Sequence, residues 1–407
     1  MRNFARQTYI LLAAIGVLVS CMDIPNVAIG GVHLKVAYLI FPLYLPFVLY
    51  VSRMRFGATR LGLYALIVVL FAPAVFLSTD IKISLSYFVG ILICLMVMET
   101  MYRLTMVLRW EMIDVLMWFY RTTVIVTAAL VILHLQKRGH FTLYEASYWA
   151  IALIPYYCIA FHRVLLKGIR AAWGDALLIV AAIVLSASLS MVLWSLVSFL
   201  FVAFRLKRVK LNRIFVMLLG VVVLLAIAYR FNTRTRQAID DLADADSWKT
   251  FFAAFIFMAG NRAQRVLVAW AVGWIHPIYG VGPGALVSYA MKHFQREDFT
   301  IMGISSADFK LSQPATNVFL QLWAETGIIG TFAYLALLVY VFRKIAKKAY
   351  AIPIQAALWI TMLSLMIESS YIRTYVWMLY GIGLGIAEMN PALENEGDGR
   401  TEEATTS

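Results

Sequence analysis

Charge is scarce in this sequence. Only 14% of its 407 residues are Asp, Glu, Lys or Arg, while 62% are hydrophobic; a soluble domain carries about 25% charged and about 45–50% apolar residues. The balance excludes a water-soluble globular chain, as does the mean hydropathy of +0.81. Cysteine is nearly absent. Cys21, Cys94 and Cys158 each stand alone in an apolar stretch with no C-x-x-C spacing, which argues against a disulfide framework or a thiolate metal site and leaves them as small hydrophobes. Acidic residues are the rarer sign, 22 against 35 basic, for a net charge of +13. In a soluble chain that excess would suggest nucleic acid. In an apolar one, the first question is where the charges sit.

Long apolar runs recur along nearly the whole length. A bilayer span needs roughly 20 such residues, and candidates lie near 8–22, 34–51, 61–77, 83–99, 113–134, 147–162, 174–189, 190–204, 214–229, 323–342, 351–367 and 374–389. With the N-terminus placed in the cytoplasm, "MRNFARQ", "SRMRFGATR", "YRLTMVLR", "HRVLLKGIR", "RLKRVKLNR" and "RKIAKK" all face inward and hold 19 of the 35 Lys and Arg. The short loops opposite hold five, Lys35, Lys82, Lys137, Arg138 and Arg373. That asymmetry is the positive-inside rule; it accounts for the basic excess and removes nucleic acid as a partner. Residues 174–204 are long for one span and short for two, and the charge rule selects a hairpin with Ser186, Ser188 and Ser190 at its apex.

The expected fold is therefore an all-α polytopic membrane protein of about 12 transmembrane helices with one large external loop. Residues 1–229 form an N-terminal membrane domain of about nine spans. The external segment 230–317 is expected to be helical and to lie against the bilayer surface, 318–390 completes the spans, and 391–407 is a polar acidic tail, expected to be disordered on the cytoplasmic side.

The external loop carries the chemistry-bearing residues. In "AGNRAQRVLVAW", Arg262 and Arg265 are three apart and share a helix face. Guanidinium groups bind phosphates bidentately, so the pair suits a lipid diphosphate; it could equally anchor a helix to ordinary anionic headgroups. Next, "HPIYGVGPG" brings Gly280, Gly282 and Gly284, a turn that lets backbone N–H groups approach an anion. Then "TNVFLQLWAETGIIG" brings Asn317, a helix N-cap candidate, and Glu325, costly at a membrane boundary unless paired. Arg121 lies inside a span, where an arginine is functional by default, or else snorkels or pairs with Glu99. Asp244 and Asp246 form a D-x-D pair in an acidic run, which reads as a solvated helix start rather than a metal site.

In this order and spacing, the three elements resemble the signature of the bacterial O-antigen polymerase, O-antigen ligase and exopolysaccharide polymerase superfamily. There an arginine precedes P-x-x-G-x-G-x-G in the external loop, and HN-x-x-L…E-x-G-x-x-G opens the next span. "QKRGHFTLYEASYWA" is similar to a further polymerase element, matching at Arg138, Gly139, Phe141, Glu145 and Ser147, with Ala146 in place of a proline. Ser188-Leu189 stands where ligases carry Ser-Arg, and Thr316 where they carry histidine. His33, His140 and His293 fall on segments compatible with an external position but outside the motif.

The resemblance implies a GT-C-like glycosyltransferase in a bacterial inner membrane, with both termini cytoplasmic and the active site periplasmic. It implies a substrate of oligosaccharide on polyprenyl diphosphate, no cofactor and no metal, and it admits a chain-length regulator protein as partner. It favours a polymerase over a ligase, with a transporter or lipid-sugar flippase as the rival from another class. Arg262 would hold the leaving diphosphate and Glu145 would act as base or pair with Arg138 or Arg262. Arg265, Arg138, Arg373, Gly280, Gly282, Gly284, Asn317 and Glu325 would bind substrate, although an Arg373–Glu368 pair is also compatible with the sequence.

Overall fold

The computed structural model describes residues 2–206, 226, 229–230, 233–257, 261–301, 308–346, 348, 351–367 and 371–389, apart from 24–25, 30–31, 53–55, 144, 169, 171 and 187. The expected span 214–229 (but for 226 and 229) and the tail 391–407 lie outside these residues, as does Glu368.

Helices follow one another in the order the apolar runs set: α1 Arg2–Ser20, α2 Val36–Ser52, α3 Ala58–Phe76, α4 Ile81–Leu108, α5 Glu111–Ile132, α6 Ala146–Ala152, α7 Ile154–Lys167, α8 Trp173–Ser186 and α9 Leu189–Leu206. The segment expected as an external loop contributes α10 Thr233–Ala243, α11 Trp248–Phe257, α12 Arg262–Ile275 and α13 Leu286–His293. Then come α14 Val318–Ala346, α15 Ile352–Ser364 and α16 Thr374–Glu388. The helical expectation meets one exception. Strands β1 Asn26–Ile29 and β2 Val32–Lys35 pair antiparallel between α1 and α2.

By length and composition, α3, α4, α5 and α14 can each cross a membrane, and the bent pair α6–α7 makes up to five. Five further apolar helical stretches, Arg6–Ser20, Val36–Ser52, Trp173–Ser186, Ser190–Leu206 and Ile352–Ser364, are only 10–17 residues long, so among the described residues the crossings read from hydropathy are not each matched by a full-length helix. The bend of 48° between α6 and α7 falls at Leu153, just before Pro155 at the start of α7. Proline has no N–H to continue a helix but fits its first turn. Residues 174–204 hold two short helices, as the hairpin reading requires: α8 ends at Ser186, α9 begins at Leu189, and Ser188 N donates to Ser186 Oγ between them.

Helix α4 is the central element, buried over most of its last four turns. It packs against α16, where "GIGLG" brings Gly381 and Gly385 onto it; a Cβ at Gly381 would overlap the Met98 carbonyl and one at Gly385 the Thr105 side chain. Small residues four apart let membrane helices approach this closely. The outside of the bundle is apolar, with Leu43, Phe76, Phe204 and Phe332 all more than half exposed, as a lipid-facing surface requires.

The intramembrane arginine is paired, though not with Glu99. Arg121 holds Asp175 bidentately at 2.7 and 2.8 Å, and Tyr156 donates to the same carboxylate. Glu99 is taken by Arg103 at 2.8 Å and Arg60 at 3.4 Å. Spacing along the sequence could not separate these partners.

Turns after α1, α3, α5, α8 and α15 gather at one end of the bundle. Asp23 N donates to Thr142 O, Gly139 N to Leu185 O, Thr79 N to Val281 O, and Val318 N to Leu365 O. The segment from α12 to α14 sits on this end with a small core of its own, including Val268, Val272, Val281, Leu286 and Phe299.

Candidate active site

Helix α12 begins at Arg262, and both of its arginines reach back to backbone carbonyls at the loop-rich end. Arg262 Nη1 donates to Ile367 O at 3.0 Å, and Arg265 Nε to Pro314 O at 2.5 Å. Thr316, buried, donates its hydroxyl to the Arg262 carbonyl. Asn317 caps α14 as expected: its Oδ1 accepts from Phe319 N and Leu320 N, while its Nδ2 donates to Met366 O. Arg262 and Asn317 therefore converge on residues 366–367, just ahead of Tyr371 and Arg373.

The glycine turn and Glu325 form one unit. Helix α14 breaks at Gly327, whose φ is +64°, and a break frees backbone groups that must find partners. The turn supplies them. Val281 N donates to Ala324 O and Gly282 N to Glu325 O, while Ile328 N reaches Pro277 O. Gly284 N donates to the Glu325 carboxylate at 2.7 Å. Gly280 has a φ of +69°, and a Cβ there would overlap the backbone of Glu325, as one at Gly327 would overlap the Ile278 carbonyl. Two glycines facing each other are what let the turn and the kink meet. The anion in the glycine cradle is thus the protein's own carboxylate. Glu325 is buried, with Gln321 at 3.0 Å and Tyr371 at 2.7 Å as its other donors.

Arg373 precedes α16 and is buried, with its guanidinium 3.7 Å above the Tyr148 ring. It donates to Asp23 at 2.8 Å, and Lys35 holds the other oxygen of Asp23 at 2.6 Å. Burial pushes the Asp23 carboxyl up, but the charges of Lys35 and Arg373 outweigh it and leave Asp23 below its ordinary value. Burial is also the main influence on Lys35; it exceeds the pull of Asp23 and lowers the ammonium, with Arg373 adding to the shift. Tyr371 is pushed well up, first by burial and then by Glu325.

Arg138 and Glu145 flank the same end on the turn between α5 and α6. Both are exposed, and Glu145 accepts from Ser147 Oγ at 3.2 Å. Tyr148, one residue beyond Ser147, carries the stacked Arg373, so this turn joins the cluster through the ring. The structure ties Arg262 to Thr316 and Ile367 and Asn317 to Met366, and separately ties Glu325 to the glycine turn and Tyr371, with Arg373 two residues from Tyr371. It shows no contact of Arg138 or Glu145 with Arg262. Among the described residues no group of three His, Cys, Asp or Glu side chains is placed to hold a metal ion, and Asp244 and Asp246 are exposed beyond the end of α10.

Sequence reading passed over Asp23, Lys35, Tyr148 and Tyr371. Asp23 did leave a signal. It is the sole acidic residue before Asp80, and it follows an apolar run, where a lone carboxylate needs a partner.

No curated protein matches the chain significantly. A family model does match, over most of α8, α9, the segment between α9 and α14 and the first part of α14, and it supports glycan transfer of the ligase or polymerase kind. Residues 176–335 match the family described as O-antigen ligase, which supports the likeness of this chain to the O-antigen ligase and polymerase superfamily.

Proposed function

We propose that the protein polymerises lipid-linked oligosaccharide units, moving the growing glycan from a polyprenyl diphosphate onto a sugar hydroxyl of the next unit. The observation that carries this reading is that Arg262 and Arg265 at the start of α12 are held against Ile367 and Pro314, on the two segments that lead into Arg373 and Asn317. In this reading the loop-rich end faces the periplasm, 230–317 supplies the diphosphate-binding helix, and 1–229 and 318–390 form the membrane body.

The reaction breaks the bond between the anomeric carbon and the diphosphate oxygen and forms one to the acceptor oxygen. Negative charge builds on the leaving diphosphate, where fixed cations contribute most. Arg262 meets that charge, assisted by Arg265 or Arg373; these guanidiniums supply the neutralisation that a divalent ion would give. The acceptor proton passes to Glu145, which is exposed at the rim. Thr316, at the place of the ligase histidine, has its hydroxyl engaged with Arg262 O, which favours polymerase over ligase. The glycines and Glu325 serve by holding the α14 kink, and so set where Asn317 and the arginines stand.

The test is the glycan pattern of cells carrying Arg262→Ala. A ladder that collapses to single repeat units supports polymerisation. Loss of glycan from lipid A, with the ladder intact on the lipid carrier, means ligation instead. Substrate-dependent ion flux in liposomes would replace both with transport.

A further inference from the structure

The far ends of α14 and α16 frame a groove of about 1210 Å³ whose lining includes Val339, Tyr340, Arg343, Lys344, Lys348 and Glu388. Its floor is a fixed charge network. Glu388 accepts from Tyr102 at 2.6 Å and Arg60 at 3.2 Å, and Arg60 lies 3.7 Å over the Tyr102 ring. Behind it, buried Glu99 is held by Arg103 and Tyr64. Glu388 is thus engaged from the inside and meets Lys344 at a loose 3.6 Å. Among the described residues, Arg343 and Lys348 have no ion-pair partner. Five cations (Arg60, Arg103, Arg343, Lys344 and Lys348) stand against two carboxylates.

The groove is also amphipathic along its length. Ala336, Val339, Tyr340, Arg343 and Lys344 follow the spacing of one helix face, apolar first and basic last. A small soluble anion would leave the apolar half uncovered. A molecule with an acyl chain and an anionic head fits both halves. We propose that this groove binds the phosphate headgroup of an anionic phospholipid, with an acyl chain along Ala336 and Val339. Basic pockets between helices on the positively charged side of a membrane protein have this chemistry.

The site is separate from the glycan site but shares its scaffold. Lys344 lies 19 residues beyond Glu325 on α14, roughly 28 Å at helical rise, and α16 starts just after Arg373. The inference does not depend on what reaction the other end performs.

The test uses the purified full chain in phosphatidylcholine nanodiscs, titrated with phosphatidylglycerol. Binding of the anionic lipid should be saturable. The triple variant Arg343→Gln, Lys344→Gln, Lys348→Gln should lose affinity by roughly fivefold per charge, about 100-fold in all. Its helical circular dichroism and melting in pure phosphatidylcholine should match the unsubstituted protein. Undiminished lipid binding in that variant overturns the proposal. So does competition by inorganic phosphate at the lipid's own concentration, which would mark a free-anion site. A third overturning result is lipid binding that emerges only after residues 390–407 are removed, which would make the acidic tail the natural occupant.

Discussion

Asp23 should be worth far more to stability than either cation it holds. Its carboxylate takes Lys35 at 2.6 Å and Arg373 at 2.8 Å, and the side chains of all three are at most 11% exposed. Exposed pairs contribute about 0–1 kcal/mol, but removing one partner of a buried pair costs about 3–5 kcal/mol, because the remaining charge is stranded. Asp23→Asn preserves shape and leaves two buried cations facing each other, so the upper range, about 3–5 kcal/mol, is expected. Lys35→Met leaves a balanced Asp23–Arg373 pair and an apolar side chain, and should cost about 1 kcal/mol or less. Combining them removes the repulsion, so the double variant should be more stable than the two losses added together, with a coupling of about 1–3 kcal/mol. Unfolding in mixed detergent micelles, followed by tryptophan fluorescence, measures all four corners of the cycle. The reasoning fails if Asp23→Asn unfolds with the unsubstituted protein, or if Lys35→Met is as damaging as Asp23→Asn.

Two further outcomes follow from the same geometry. The Asp23 carboxyl is held below its ordinary 3.8, so its contribution to stability is present above about pH 4 and fades as pH falls through the lower folded value; Asp23→Asn should lack that acid limb in a pH series of unfolding midpoints. Gly280→Ala should destabilise by more than the roughly 1–2 kcal/mol of a left-handed residue, since the new methyl also overlaps the Glu325 backbone, whereas Gly62→Ala, inside α3 with nothing within 4 Å, should keep the melting temperature or raise it slightly.

Much of the membrane body can be read from apolar runs and charge alone, because each span must satisfy its own backbone and the loops sort by sign. The serine apex at 186–188 follows from that logic, as does the Asn317 cap from its place before an apolar run. What the sequence hides is long-range. Asp23 and Arg373 are 350 residues apart, and nothing local marks them as partners. Arg121 illustrates the same limit, with Asp175 chosen over Glu99 by packing. The glycine turn is the instructive case. Its residue types do announce an anion cradle, but residue types do not reveal that Glu325, released by the break at Gly327, fills it. The bend at Leu153 was signalled by Pro155, inside a run that hydropathy alone treats as continuous.

The central claim is that Arg262 meets the charge of the departing diphosphate, and purified protein turning over a lipid-diphosphate oligosaccharide tests it most directly. Elongation by the unsubstituted protein should persist in EDTA, and Arg262→Ala should be slower by about 100-fold or more at an unchanged melting temperature. Elongation by Arg262→Ala at the unsubstituted rate would contradict the account.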